Sequence, residues 1–535
     1  MALGATTQWE VRTAGSDSSG GGFTPASASG VTDYAATSGT GTAPVVTSAT
    51  YNFVAGDVGA YVFILSGTNW IPGWYKIDSV ASNAATVNAS VGQVILYNGA
   101  TFYNTTAGIA SVASPTGGTG SVDYSQQDAA EVTGTATSAG TTLTATTGIF
   151  TPVMVGNLIT NGTSWKCITA YTSTLVVTLD SDPSWTAQSV VIGGAVASPS
   201  LVVNSATGIA VSGNSVWIKT GTYNRSTTLT VLDVALAILG YSTLRGDTGQ
   251  ATFRATAGSI TLISWSGDND RHYLRNITAD ADGQTSVTGI NIAEGNGQSS
   301  AAYNCIAIDC ATGFVVASSR IVSKCIGCWA DNCTTGFSLG NQGVAYACYS
   351  STASGGTGFV CGGGGGSGVV LNSIAGGGSL GFTGGGSGNS FGAVMISNVA
   401  YGTSSHGFSF DGTLGAALVQ NNVAYGCGGY GFRDTTSDSL FLARGNNAYG
   451  SNSSGNLSNV PPGLGDVILT ADPFTNAAAG DFSLNTTAGG GAACRAAGFP
   501  GVFPGGLTTG HLDIGAVQHE DTPGGSSLIG GGLVL

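Results

Sequence analysis

Apolar positions in the C-terminal two-thirds of the chain recur on two length scales. The shorter scale consists of brief alternating or β-branched runs separated by Gly, Asn and Ser, which predicts short strands joined by turns and leaves no room for helices. On the longer scale, a Gly-Phe pair recurs at Gly313-Phe314, Gly336-Phe337, Gly358-Phe359, Gly381-Phe382, Gly407-Phe408 and Gly431-Phe432, with Gly289-Ile290 as an earlier member. Successive glycines are 24, 23, 22, 23, 26 and 24 residues apart. A second apolar column runs out of phase with the first through Ile277, Ile306, Ile326, Tyr349, Ile374, Val399 and Val423. The clearest copies read Asn398-Val-Ala-Tyr-Gly402, Asn422-Val-Ala-Tyr-Gly426 and Asn446-Asn-Ala-Tyr-Gly450.

A coil of about 24 residues cannot bury its apolar face alone. Stacked coils, about 4.8 Å apart, place like residue over like and make a continuous interior. The phenylalanines then form an inner ladder. Two positions on, Val316, Leu339, Cys361, Gly384, Phe410 and Asp434 share their face by strand alternation, and Asp434 breaks the apolar pattern. Asn276, Cys305, Cys325, Cys348, Ser373, Asn398, Asn422 and Asn446 precede the second column or lie beside it, and predict a stack of small polar groups bonded to one another at a corner.

The first two hundred residues follow a different plan. Phe53-x3-Asp57-Val-Gly59, Gly67-Thr-Asn-Trp70 and Tyr75-Lys-Ile77 are echoed by Phe150-x3-Met154-Val-Gly156, Gly162-Thr-Ser-Trp165 and Lys166-Cys-Ile168, which predicts a duplicated small β unit. The Gly, Ser and Thr-rich stretch 107–128 reads as the connection between the copies, and 195–200 as the boundary with the coils. The expected divisions are a β-rich region over 1–128, a second small β domain over 129–200, the stacked coils over 201–485, and a cap with a Gly-rich tail over 486–535.

Composition narrows the function. Fourteen Lys and Arg stand against 28 Asp and Glu, a net charge of −14, with no basic stripe, so nucleic acid is not an expected partner. No apolar run approaches the roughly 20 residues of a membrane span. The start, Met1 to Glu10, carries neither a basic nor an apolar leader segment. The expectation is a protein made in a host cytoplasm and released on a particle.

The repeat resembles the right-handed parallel β-helix of the pectate-lyase-like superfamily over roughly residues 205–485. Val216-Trp-Ile-Lys-Thr-Gly-Thr-Tyr223 is similar to the opening coils of such proteins, and Asp472-Pro-Phe-Thr-Asn476 with Gly480-Asp-Phe-Ser-Leu484 to their closing segment. The segment Trp9 to Phe23 resembles a leader of phage-borne β-helix proteins. The fold class is therefore all-β, a single-stranded β-helix preceded by small β-rich domains. The parts together resemble tailed-bacteriophage virion proteins of the tailspike and tail-fibre kind. That resemblance implies a homotrimer, contacts with other virion proteins through the N-terminal region, and binding of host surface polysaccharide. One such fold also carries lyases, hydrolases and adhesins, so it identifies no activity.

Three groups of side chains are candidates for chemistry. Asp280 and Asp282, with Asp268 and Asp270, cluster near Arg271, His272 and Arg275, and Asp309 and Asp331 fall on successive coils near Arg320 and Lys324. A glycoside hydrolase needs two carboxylates, and a lyase needs a cationic base beside groups that neutralise a uronate. Aspartates at coil corners are also ordinary turn chemistry, and the run Asp268-Asn-Asp270 also fits a calcium loop. Tyr401, Tyr425 and Tyr449 form a stacking platform for sugar rings if they point outward, and core if inward. Cys325-x2-Cys328 with Cys333 superficially suits zinc, but stacked coils set cysteines in rows, which favours buried thiols, no metal and no cofactor. Arg245-Gly-Asp247 reads as a turn. The readings that follow are a glycan-binding spike or fibre, a polysaccharide lyase or hydrolase on the same coils, and a capsid-decorating fibre.

Overall fold

A computed structural model describes residues 3–25, 28–36, 44–88, 93–95, 101–103, 114–265, 271–292, 300–316, 322–362, 367–384, 392–411, 417–435, 441–499 and 512–519. It is all-β and divides into two units, one of residues 1–221 with 235–247, the other of 222–234 with 248–535.

The first unit holds two closed six-stranded barrels. One is built from Val31–Ala36, Val45–Thr47, Tyr61–Thr68, Gly73–Ala81, Ala84–Val87 and Thr116–Asp123. The other is built from Val132–Ala139, Thr142–Ala145, Leu158–Thr160, Trp165–Ser173, Val176–Leu179 and Gln188–Ile192. The echoed motifs take the same shape in both: a 3-10 turn at Ala55–Asp57 and Pro152–Met154, then a left-handed glycine, Gly59 or Gly156. The stretch expected as a connection is in part a barrel strand, Thr116–Asp123. Its glycines mark close approach, since a Cβ on Gly118 would lie 2.7 Å from Trp70 Nε1 and one on Gly120 1.9 Å from the Phe63 carbonyl oxygen. The N-terminal strand Gln8–Val11 joins neither barrel but pairs in parallel with Ser215–Lys219. There Glu10 is fully buried between Arg12 and Arg245, with Tyr241 bonded to it, and Arg245 also reaches Asp123 at 3.4 Å. The Arg-Gly-Asp arginine is thus committed to a buried ion pair.

The second unit is a parallel β-solenoid of about eight turns with three strand-bearing faces. In one coil the first face is Ala301–Tyr303, the second Ile306–Ile308 and the third Thr312–Val316. The third face carries the phenylalanine ladder inward: Phe314, Phe337, Phe359, Phe382, Phe408 and Phe432 are fully buried, with centroids 4.6 to 4.9 Å apart and rings within 7° of parallel. The column two positions on is also in register, and Asp434 is buried at its end. The recurring glycine has a steric cause. A Cβ on Gly381 would sit 2.6 Å from the Gly407 carbonyl oxygen and 2.9 Å from Ala400 Cβ, and the same overlap recurs coil after coil.

Between the first and second faces each coil turns through one residue of positive φ: Asn276, Asn304, Gly327, Ala347, Asn372, Ser397, Asn421 and Asn446. Asparagine and glycine tolerate this left-handed geometry, which explains much of the column's composition. The residue after it forms the bonded stack. The Ser373 N–H donates to Asn398 Oδ1, the Asn398 N–H to Asn422 Oδ1, and the Asn422 N–H to Asn447 Oδ1, at 2.9 to 3.0 Å. Each Nδ2 in turn reaches a first-face carbonyl, Val370, Met395 or Val419.

Register corrects three expectations. Asn276 and Asn446 are left-handed corner residues, and Asn447 takes the place in the stack expected of Asn446. Cys328, not Cys325, stacks with Cys348, while Cys325 points inward from the first face. Ile326 lies on the first face, opposite Tyr303 and Tyr346, and Trp329 occupies its expected place between Ile306 and Tyr349, while Thr278 rather than Ile277 is opposite Ile306. All ten cysteines are free and buried.

Candidate functional site

Strand alternation on the second face sends Ala279, Ala307 and Ala330 inward, all fully buried, and their neighbours outward. One outward column runs Arg254, Asp280, Ile308, Asp331, Ser351, in register from coil to coil. Beside it runs Thr278, Ile306, Trp329, Tyr349. Asp280 and Asp331 therefore share one column two coil steps apart, about 9.6 Å at the backbone on the usual strand spacing. Ile308 lies between them and the Trp329 ring alongside.

Both carboxylates are held. Arg254 Nε donates to Asp280 Oδ2 at 3.0 Å, and the Asp282 N–H donates to Asp280 Oδ1 at 2.8 Å. The Ser351 hydroxyl donates to Asp331 Oδ1 at 2.6 Å, and Trp329 Nε1 donates to Ser351 Oγ at 3.3 Å. Asp282 and Asp309 occupy a different position: both are solvent-exposed corner residues with positive φ, and Asn332 Nδ2 bonds Asp309 Oδ1 at 2.6 Å. Their geometry is that of turn residues. His272 faces inward, stacked on Trp265 with centroids 5.5 Å apart, and burial lowers it to about 4, so it does not stand beside Asp280 as a cationic partner. Lys324 projects from the first face. Asp268, Asp270 and Arg320 lie outside the described residues.

The three tyrosines do not form one ladder. Tyr401 and Tyr425 are in register on the outer second face, 6.3 Å apart and 15° from parallel. Tyr449 is opposite Ala424 instead, points inward and is 4% exposed against Phe432. The C-terminal hairpin Phe474–Asn476 and Asp481–Leu484 lies over the outer pair. Phe474 and Phe482 meet Tyr401 edge-on at 5.7 and 5.8 Å, and the Tyr401 hydroxyl donates to Asp472 Oδ2 at 3.3 Å. Among the described residues the other outward aromatics of the second face are Trp329 and Tyr349, and Tyr349 too touches Phe482, at 6.2 Å.

The outer first face has the opposite chemistry. Val344, Val369, Val394 and Leu418 form one outward column, and Ile326, Tyr346, Leu371 and Ile396 the next. All are partly or largely exposed, whereas the alternate residues Ala345, Val370, Met395 and Val419 are fully buried. Sheets buried on both faces read this way, as near-continuous apolar runs. Val369-Val-Leu371 and Val394-Met-Ile396 carried that signal in the sequence.

No family model matches the sequence, and no curated protein matches it. Among solved structures the chain is similar to ORF18 of Geobacillus virus E2, at 13% identity and a TM-score of 0.30, covering 50% of this chain and 55% of that one. It is also similar to the catalytic unit of a thermostable GH87 α-1,3-glucanase from Streptomyces thermodiastaticus strain HF3-3, at 11% identity and a TM-score of 0.29, covering 66% and 89%. A GH87 α-1,3-glucanase catalytic domain in complex with nigerose follows at 10% identity and 0.23, covering 67% and 87%. The chain thus spans about half the length of the virus protein, and likenesses this distant bear on neither activity nor substrate.

Proposed function

We propose that this protein is a structural fibre or spike of a bacteriophage particle, that it associates side by side as a homotrimer through the outer first face, and that it binds host surface glycan on the second. The observation that carries the reading is the contrast between these two faces. A mainly aliphatic stripe repeating at the coil spacing suits a second copy of itself, because apart from the Tyr346 hydroxyl its side chains offer no hydrogen bonds to a hydroxylated ligand. A column of oriented carboxylates beside an indole and a phenol offers acceptors for sugar hydroxyls and an apolar ring for a sugar face. On this reading the barrels of the first unit serve attachment to other virion proteins.

Binding of host capsule or lipopolysaccharide fragments to the purified protein tests the glycan contact. Trp329→Ala is expected to weaken that binding by about tenfold or more, in line with the loss of one aromatic anchor. Full affinity in this variant would remove the second face from the proposal. Labelled protein found on the head of purified particles would favour capsid decoration over a tail position.

The placement of Asp280 and Asp331 on one outward column, with a backbone spacing at the upper limit of the range, favours a second reading, an inverting glycoside hydrolase. Carboxyl groups about 6.5–9.5 Å apart leave room for a water between one acting as acid and one as base. Shortened polysaccharide chains after incubation, lost in both Asp280→Asn and Asp331→Asn, would establish it. Bound but intact polysaccharide would leave the binding reading alone. A lyase would instead release unsaturated uronate, and the cation beside Asp280 among the described residues, Arg254, is already paired with it.

A further inference from the structure

The third face carries a second cluster of polar groups, around His406. Its imidazole meets two donors. The Tyr430 N–H points at Nδ1 from 3.0 Å, and Arg433 Nη1 lies 2.8 Å from Nε2. A neutral imidazole has one lone pair for hydrogen bonding, so in either tautomer one ring N–H is turned toward another donor. The position is built into the coil. A Cβ on Gly429 would fall 2.5 Å from His406 Nδ1, so glycine there lets the ring lie against the backbone, and Tyr430 stacks on it at 5.8 Å and 20°.

Arg433 has no carboxylate within ion-pair distance among the described residues, unlike Arg12, Arg245, Arg254 and Arg444. Its register neighbour is Ser409, whose hydroxyl donates to Asp411 Oδ2 at 3.0 Å, while Thr435 donates to Asp411 Oδ1 at 2.5 Å. With Nδ1 accepting from the Tyr430 N–H, the outer third face here brings together, among the described residues, a cation without a carboxylate partner, an imidazole N–H turned toward that cation, a carboxylate with lone pairs to spare, and a pair of stacked rings.

We infer that Arg433, His406, Asp411 and Tyr430 form a second glycan subsite, for a neutral hydroxyl-rich sugar. One hydroxyl oxygen accepts from both Arg433 and His406, which relieves the donor–donor contact, and a neighbouring hydroxyl donates to Asp411. The charges decide the ligand class. Arg433 and Asp411 balance each other on a chain of net charge −14, so a neutral sugar fits where an anionic one meets a carboxylate. This inference rests on the glycan-binding reading above but concerns a different face.

The test is titration of the full-length protein with a panel of neutral hexose oligosaccharides, a polyuronate oligomer and inorganic phosphate. A neutral oligosaccharide is expected to bind, and Arg433→Ala and His406→Gln are each expected to weaken it by about tenfold, the effect of losing a charge-assisted or oriented hydrogen bond. Unchanged circular dichroism and melting in His406→Gln separate this from misfolding. Full binding in both variants, with binding lost in Trp329→Ala, overturns the third-face subsite and leaves the second-face reading standing. Preferential binding of phosphate or polyuronate at Arg433 overturns the neutral-sugar assignment. No binding by any neutral oligosaccharide at millimolar concentration overturns both.

Discussion

Asn422 shows how much one corner side chain does in this fold. Its Oδ1 accepts from the Asn398 N–H and Nδ2, and its own Nδ2 donates to the Met395 carbonyl and Asn447 Oδ1, all in a fully buried position. Asn422→Ala strands a buried donor and a buried acceptor, and is expected to cost about 3 kcal/mol in denaturant unfolding; Asn422→Ser, which places there the residue found at 373, should cost less. That such a stack exists was legible from the repeated asparagines. Its exact membership was not, because Asn446 and Asn447 look alike until register shows which one is left-handed and which one bonds the next coil. In the first unit, burial and the neighbouring Asp57 carboxylate push Glu131 up to about 7. A carboxyl raised in the folded state binds its proton more tightly there than when unfolded, so stability is fully present below about 4.5 and is lost as pH rises toward 7. The wild-type unfolding midpoint should therefore fall more between pH 5 and pH 8 than that of Glu131→Gln.

The strands were the easiest elements to foresee on the third face and the hardest on the first. A bulky residue repeated beside a glycine leaves one reading, and the stacked rings follow from it. Phe382→Ala opens a cavity between Phe359 and Phe408 and is expected to cost about 3–5 kcal/mol. Gly381→Ala should be comparably damaging for a different reason, since the added methyl meets the Gly407 carbonyl rather than leaving a void; melting of both variants checks the pair. On the first face, runs such as Val369-Val-Leu371 are apolar on both sides, so alternation cannot say which side is the interior. The place of the tyrosines was equally hidden. Tyr401 and Tyr425 do face outward, but the hairpin at 474–484 that covers them is about fifty residues or more distant in sequence, and no local pattern reports a contact made at that range. Tyr449 departed from the other two because its coil is offset by one residue, which turns a side chain to the opposite side of a strand.

Taken as one chain, the protein combines scarce charge, ten free buried thiols and a solenoid whose outer faces differ in chemistry. In the proposed side-by-side association the aliphatic first face is the contact, without disulfides, and the Asp280, Asp331 and Trp329 face is left to the proposed glycan. Ile396→Asp places a charge in the middle of the stripe and leaves Met395, the adjacent inward residue, in place. It is expected to disrupt association while the far-ultraviolet circular dichroism stays that of a β protein. Sedimentation equilibrium of the wild-type chain and Ile396→Asp is the most direct test of this account. It predicts a wild-type mass three times the 52.7 kDa of the chain and a monomer mass for the variant. A wild-type monomer, or a variant that remains trimeric, would contradict it.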